Sequence, residues 1–438
     1  MSDMILSSGI GSQSSSIILD IGTQSIRAGY GGDDLPRSVV PTCIGIPNKE
    51  VDLIDSNRLC NTIFPLKPWE KRDYIEVLHP LQYNIQEKAI EFNEEYLTKI
   101  IQELSLSQKF TNSTSSFLTK HNYIFEPLDD RMNGQTLLIP IHSTSNPNNS
   151  IKLAEIAFEK LEVASLFTSR RPVLSCFACG RTSGIVVDIG ASVSNVSCVQ
   201  DGHCIQGSIQ EYPVAGDFLD NEIYKKIHKV NIIPEFGIFK NEDKNGASEY
   251  HVPLTNVDES YLTWGIMHVI REIKHSSLFF PNPNSNNENE FHLPDGNVID
   301  TTSIRNSIPN LLFKSGNSNQ GYPGIVQMVI NSITETSNIN KEISSITSSI
   351  ILAGGTTLIN GFDAKLHQGI IDQRPSVIFN NSTGPAPRIV ASPRASERLA
   401  SAWIGASILS SLGTFPQFTV SKRDYQEFGP NIINKKCP

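Results

Sequence analysis

The chain has 438 residues, 39% of them hydrophobic and 18% charged, with a formal net charge of −9. That length exceeds one ordinary core, so two domains are expected, and the acidic balance argues against a dominant nucleic-acid-binding surface. No apolar run approaches the roughly 20 residues needed to cross a membrane, and seven cysteines without a secretion signal fit a reducing compartment, cytosol or nucleus.

The opening stretch, MSDMILSSGIGSQSSS, lacks a basic segment followed by a long apolar one and reads as a short disordered tail. The first element is SIILDIGTQSIRAGYGG: an apolar strand, Asp20-Ile21-Gly22, a polar turn, then a second alternating strand. Such an apolar run is expected to have both faces buried, and the glycine permits a tight turn that a ligand can approach closely. Next comes the C-x-x-C of Cys176 and Cys179, followed by Cys198 and Cys204. Their apolar surroundings predict small buried thiols, and the second pair lacks the knuckle spacing of a zinc site.

The first pattern then recurs as GIVVDIGASVSNVSCVQDG, built around Asp188-Ile189-Gly190. Two such hairpins, each opening one half of the molecule, predict a duplicated α/β domain with both turns facing one cleft. Consecutive turn N–H groups make an anion nest suited to phosphate oxygens. The Asp before each turn supplies oxygens for Mg²⁺ through its water shell. A third piece, SSIILAGGTTLINGF, places Gly354, Gly355 and Thr356 after another strand, where paired glycines let a base or ribose lie on the backbone. Composition and spacing alone lead to a two-lobed phosphate-binding protein.

At these residues the sequence resembles the actin family. DIGTQSIRAGYGGDDLPRSVVPT follows the actin phosphate-loop pattern, as do LSCFACGRTSGIVVDIG at 174–190 and HLPDGNVI at 292–299. The most specific match is the C-terminal stretch, SERLASAWIGASILSSLGTF followed by SKRDYQEFGPNIINKKCP. The resemblance implies an actin-like ATPase fold of the α/β class: two duplicated RNase-H-like lobes around a nucleotide cleft, in four subdomains. Residues 1–41, 80–178 and 401–438 would form large subdomain 1, and 42–79 small subdomain 2. Residues 179–214 and 320–400 would form large subdomain 3, and 215–319 small subdomain 4 with Asn-rich insertions. ATP and a divalent cation, Mg²⁺ or Ca²⁺, would lie between the lobes. The first phosphate loop matches at Asp20, Gly22, Thr23, Gln24 and Arg27, the last standing where actin has a lysine. The second matches at Asp188 and Gly190, followed by Ala191 and Ser192; Gly216 falls in the hinge segment, and Lys274, Gly354, Gly355 and Thr356 in the adenosine site. Asp20 and Asp188 would hold the cation through water.

Several departures fall where actins do their chemistry. Arg171 replaces the glutamine that orients the attacking water, and Asn195 replaces an assisting histidine. Ala191 replaces an acidic residue, Ser192 a glycine, and His275 a ribose-contacting glutamate. A guanidinium cannot accept a proton from water, although it can pair with the γ-phosphate, so retained ATP binding with weak or lost hydrolysis is expected. The stretch from Ile44 to Pro65 does not resemble actin's filament-contact loop. Extra sequence such as SLSQKFTNSTSSF between Tyr96 and Leu137, the segment Lys229 to Tyr261, and PNPNSNNENE at 281–290 enlarge the outer regions, the Asn-rich tracts reading as mobile loops. Filaments of this chain alone are not expected.

P-V-A-G-D-F from Pro213 to Phe218, Ala191, the base at 171 and the ending K-C-P at 436–438 are similar to the nuclear actin-related proteins of chromatin-remodelling and histone-acetyltransferase complexes. That resemblance implies a structural subunit in the nucleus, possible contact with nucleosomes or histones, and an actin monomer as neighbour. A scaffold helix from a remodeller ATPase or acetyltransferase would dock on a surface including the C-terminal helix and the region Phe415 to Tyr425. The competing classes are a cytoskeletal actin-related protein, with conventional catalytic groups and a filament-contact loop, and a metabolite kinase, with a catalytic Asp in a substrate pocket.

Overall fold

The computed structural model describes residues 16–48, 62–84, 86–87, 89–105, 123–126, 128, 132–144, 147–243, 246–280, 289–316, 321–339, 343–373 and 387–437. The expected N-terminal tail, most of the stretch from Ile44 to Pro65, the run SLSQKFTNSTSSF beyond Ser105, residues 281–288 and Pro438 lie outside the described residues.

Two sheets are built on one plan. In the first, the strands run in the order Val420–Ser421, Ser165–Arg170, Thr136–Ile141, Ile17–Ile21, Ser25–Tyr30, Ser38–Pro41. Ile17–Ile21 pairs antiparallel with Ser25–Tyr30 and parallel with Thr136–Ile141, which is itself parallel to Ser165–Arg170. In the second, Gly184–Ile189 pairs antiparallel with Ser194–Gln200 and parallel with Ser349–Ala353, which is parallel to Arg388–Val390. Each sheet thus has a hairpin followed outward by two parallel strands, the arrangement expected of a duplicated actin-like fold.

The apolar runs are buried on both faces because both faces are covered. Ile17, Leu19 and Ile21 enter one core, while Ile18 packs on the other side with Leu138, Leu174, Trp403, Ala406 and Phe415. The second sheet repeats the division: Ile185, Val187 and Ile189 face one core, and Val186 joins Val173, Cys176, Val199 and Ile351 opposite. Cys176 and Cys198 are fully buried, matching the expectation of apolar thiols, with Cys179 and Cys204 half-buried. Burial pushes the Cys204 thiol up to about 11.

Two smaller units pack against each other. One contains the hairpin Ile44–Pro47 with Ile75–Leu78. The other contains the hairpin Ile238–Asp243 with Gly246–His251 and the helix Glu259–Ser277, whose N-terminus is capped by the Asp258 carboxylate. The segment Lys229 to Tyr261, an insertion by resemblance, therefore carries regular structure. Cys43, Leu66, Ile75 and Val77 of one unit form a buried cluster with Phe236, Tyr261 and Trp264 of the other. Polar bonds reinforce it: Tyr261 donates to the Glu70 carbonyl at 2.6 Å, the Val77 N–H to Ser260 Oγ at 2.9 Å, and the Tyr74 N–H to the Asn256 carbonyl at 2.9 Å.

Candidate nucleotide-binding site

The site is assembled from loops at the C-terminal ends of parallel strands, where open α/β sheets generally bind ligands. In the first hairpin, Asp20 lies in register with Arg27, and the Gly22 N–H closes the turn on the Ser25 carbonyl at 3.1 Å. In the second, Asp188 lies in register with Asn195, and the Gly190 N–H closes on Val193 at 3.1 Å. The duplication therefore puts each aspartate and its cross-strand partner at equivalent points of the two lobes.

The loops of the second lobe interlock. Thr356 Oγ1 donates to the Gly190 carbonyl at 2.8 Å, and the Gly216 N–H to the same oxygen at 3.2 Å. The Asp217 N–H donates to Ala191 O, and Ser192 Oγ to the Asp217 carboxylate at 2.9 Å. Gly354 has φ +83°, and a Cβ there would collide with the Ile189 carbonyl and lie 2.6 Å from Asp188 Oδ1, so only glycine fits. Gly355 begins the short 3₁₀ turn that follows. Lys274 Nζ donates to the Gly216 carbonyl at 3.2 Å and to buried Asp220 at 2.9 Å, and Arg271 pairs with Asp220 at 3.5 Å. Gln24 donates to Tyr123, and the Gly22 carbonyl accepts from Thr42; Thr23 sits half-buried between them in sequence. His275 is exposed beside Lys274. The expected residues Gly190, Ala191, Ser192, Gly216, Lys274, Gly354 and Thr356 thus come together on the second lobe, and Asp20, Gly22, Gln24 and Arg27 lie together on the first hairpin.

Arg171 joins the two faces. It opens the helix Arg171–Ala178, directly after the strand Ser165–Arg170. Its Nη1 is paired with Asp20 Oδ1, and its Nε lies 3.5 Å from Asp188 Oδ2. The second oxygen of Asp20 lies 3.4 Å from Arg27 Nη1. Asp20 is only 1% exposed, and the other three side chains 12–14%. Asp20 and Asp188 hold the Arg171 guanidinium firmly protonated against the opposing effect of burial. The chemistry of this donor set fits nucleotide phosphates: guanidinium, ammonium and turn N–H groups face one cleft. It does not fit a divalent cation between the carboxylates, because each carboxylate already faces a guanidinium. Among the described residues, no group of three His, Cys, Asp or Glu side chains could hold a metal ion.

Sequence reasoning missed a polar floor between the lobes. The strand Thr136–Ile141 ends in His142, Ser143 and Thr144. Ser143 Oγ lies 3.3 Å from Asn195 Oδ1, Thr144 Oγ1 donates to Glu211 at 2.7 Å, and Asn195 Nδ2 donates to Glu211 at 3.1 Å. The signal was available: a third apolar strand ending in polar residues, as the two D-x-G strands do. His142 Nε2 has no partner among the described residues, and burial together with Arg171 pushes its imidazole down to about 3, so it is neutral.

Burial raises Glu211 to about 7, against the pull of its bonds from Thr144 and Asn195. A carboxyl with a folded pKa above its unfolded value stabilises the protein fully below the unfolded pKa, and that stability is lost as pH rises through the folded pKa. Between pH 5 and 8 the wild type should therefore lose about 2.5 kcal/mol more than Glu211→Gln, as read from urea midpoints. Equal losses in the two proteins would show that Glu211 ionises freely in the fold.

The helix Ser401–Ser410 packs against Arg171–Ala178 through Gly405, where any Cβ would overlap the Leu174 carbonyl. Beyond it, the surface expected at Phe415 to Tyr425 is only partly exposed. Phe415 is buried edge-on against Phe167, with centroids 5.6 Å apart, and Tyr425 stacks on Phe158 at 4.6 Å and donates to Glu159. These two anchor the stretch, while Ile408, Leu412, Phe418 and Phe428 are 44–59% exposed.

The family model for actin matches residues 11–438. The chain is similar to actin-related protein 4 of Oryza sativa subsp. indica, 28% identical over 458 aligned residues covering 98% of this chain and 99% of that protein. It is 27% identical to actin-related protein 4 of Arabidopsis thaliana over 98% of this chain and 99% of the relative. For actin-related protein 4 of Gibberella zeae the identity is 25%, over 98% and 96%. With the duplicated sheets, the paired D-x-G hairpins and a family match running from residue 11 to the last residue, this chain belongs to the actin family and is an actin-related protein.

Proposed function

We propose that this chain is a nuclear actin-related protein that binds ATP, hydrolyses it poorly, and serves as a structural subunit of a chromatin-remodelling or histone-acetyltransferase complex. The observation that carries its catalytic part is Arg171, held on Asp20 and Asp188 at the position where hydrolysing relatives orient the attacking water; the subunit part rests on the likeness to actin-related protein 4. A guanidinium has no lone pair with which to accept a proton. Asn195, in place of the assisting histidine, is engaged with Ser143, Ser197 and Glu211 and cannot act as a base. Losing such groups costs about 10²–10⁴ in rate.

When bound, ATP supplies a ligand that links the lobes and stabilises the fold by mass action. Lys274, Arg27, Arg171 and the turn N–H groups would hold it, under the roof formed by Tyr261, Trp264 and their partners. The exposed apolar residues Ile408, Leu412 and Phe418 suit helix-in-groove docking of a scaffold helix, beside an actin monomer. Nuclear location follows from the resemblance to the nuclear group.

A single-turnover assay tests the catalytic part. Expected is ATP hydrolysis at least about 10²-fold slower than by conventional actin, with unhydrolysed ATP remaining on the protein through gel filtration. Hydrolysis at actin's rate would contradict it.

A further inference from the structure

We propose that Arg171 takes the place of the divalent cation in this cleft, so that the chain binds nucleotide phosphates without needing a metal; this rests on the nucleotide-binding reading above. Two carboxylates from opposite lobes, Asp20 and Asp188, converge on a site largely shielded from water. Uncompensated, they would repel and one would take up a proton. Here the compensation is covalently part of the chain. Arg171 reaches Asp20 through Nη1 and Asp188 through Nε at 3.5 Å, while Arg27 holds the remaining Asp20 oxygen at 3.4 Å. Two guanidinium groups balance two carboxylates, so neither Asp20 nor Asp188 retains an uncompensated charge for a dication.

A hydrated cation would have to displace Arg171 from a carboxylate that is 1% exposed, and then sit beside the displaced positive charge. The guanidinium also does what the metal does in related sites, presenting positive charge to phosphate oxygens. Arginine has five N–H donors and is always charged. With Nη1 and Nε on the two aspartates, Nη2 has no carboxylate among the described residues and is left for a phosphate oxygen. The placement is fixed by the fold. Pro172 follows at the start of the helix, and that helix is pressed against Ser401–Ser410 at the Leu174–Gly405 contact.

The test is calorimetric titration of ATP into the full chain, in Mg²⁺ and in EDTA, with elemental analysis of the desalted, nucleotide-loaded protein. We expect the two dissociation constants to agree within about 3-fold, and far less than one divalent ion per chain. A loss of affinity of about 100-fold in EDTA, or one retained ion per chain, would overturn the proposal. Arg171→Gln frees both carboxylates and should make binding depend on Mg²⁺, with affinity at least about 30-fold weaker in EDTA. Metal-independent binding by that variant would also overturn it. Where the variant does not fold, the metal content of the wild type decides. Failure of the wild type to bind ATP in either buffer is a different result and removes the nucleotide reading itself.

Discussion

Tyr261→Ala should release bound nucleotide about 10²–10³-fold faster than the wild type, from the ~3–5 kcal/mol typical of emptying a large aromatic site. Tyr261 is fully buried at the junction of the two outer units, packed on Phe236 with ring centroids 5.0 Å apart and on Trp264 at 5.5 Å. Its hydroxyl reaches across to the Glu70 carbonyl, and the neighbouring Ser260 accepts from Val77 of the opposite unit. The truncation removes apolar area and a cross-unit hydrogen bond together, so opening of the roof becomes easier by nearly the full cost of the cavity. Release of an etheno-ATP chased with excess ATP reads this directly. Unchanged release accompanied by a lowered urea midpoint would mean that the cluster stabilises the fold without governing access to the cleft.

The second large effect concerns partner binding. Leu412→Asp combined with Phe418→Asp should weaken capture of a scaffold helix by about 100-fold or more, since buried apolar anchors dominate such interfaces. Both side chains are 50% exposed, so the substitutions should leave the melting temperature nearly unchanged. The matching change at Phe415 would not be informative, because Phe415 is buried under Phe167 and its loss would damage the core. Pull-down of the double variant at wild-type yield, with melting also unchanged, would move the docking site elsewhere.

These expectations rest on features of unequal legibility. The D-x-G hairpins were readable because their apolar strands alternate onto two covered faces, as Ile18 against Ile17 and Leu19 shows, and because glycine follows each aspartate. The third loop was readable for the same reason, and Gly354 at positive φ explains why a side chain is absent there. Arg171 was recognisable as a departure, but not its partners. Those depend on a strand-to-helix turn that carries position 171 between lobes whose aspartates are 168 residues apart in sequence. Glu211 was invisible because it lies in a three-residue strand with no periodicity, and its environment is made by Thr144 and Asn195 from distant segments. The cluster between the two smaller units draws on separate stretches at Cys43, Leu66, Ile75 to Val77, Phe236, and Tyr261 to Trp264, which no local pattern connects. In the C-terminal stretch, SAWIGASILSSLGTF spreads its apolar residues and serines without a single apolar face, so the pattern does not separate the buried anchors Trp403 and Phe415 from exposed Ile408 and Leu412.

This actin-family chain is expected to work as a subunit that captures a scaffold helix. Mass spectrometry of proteins co-purifying with it from native extract tests that most directly. Recovery of a remodelling ATPase or acetyltransferase scaffold, with actin in near-equal amount, is the expected result. Recovery of filament-capping, branching or motor proteins without those scaffolds would contradict it and place this actin-related protein in the cytoskeleton.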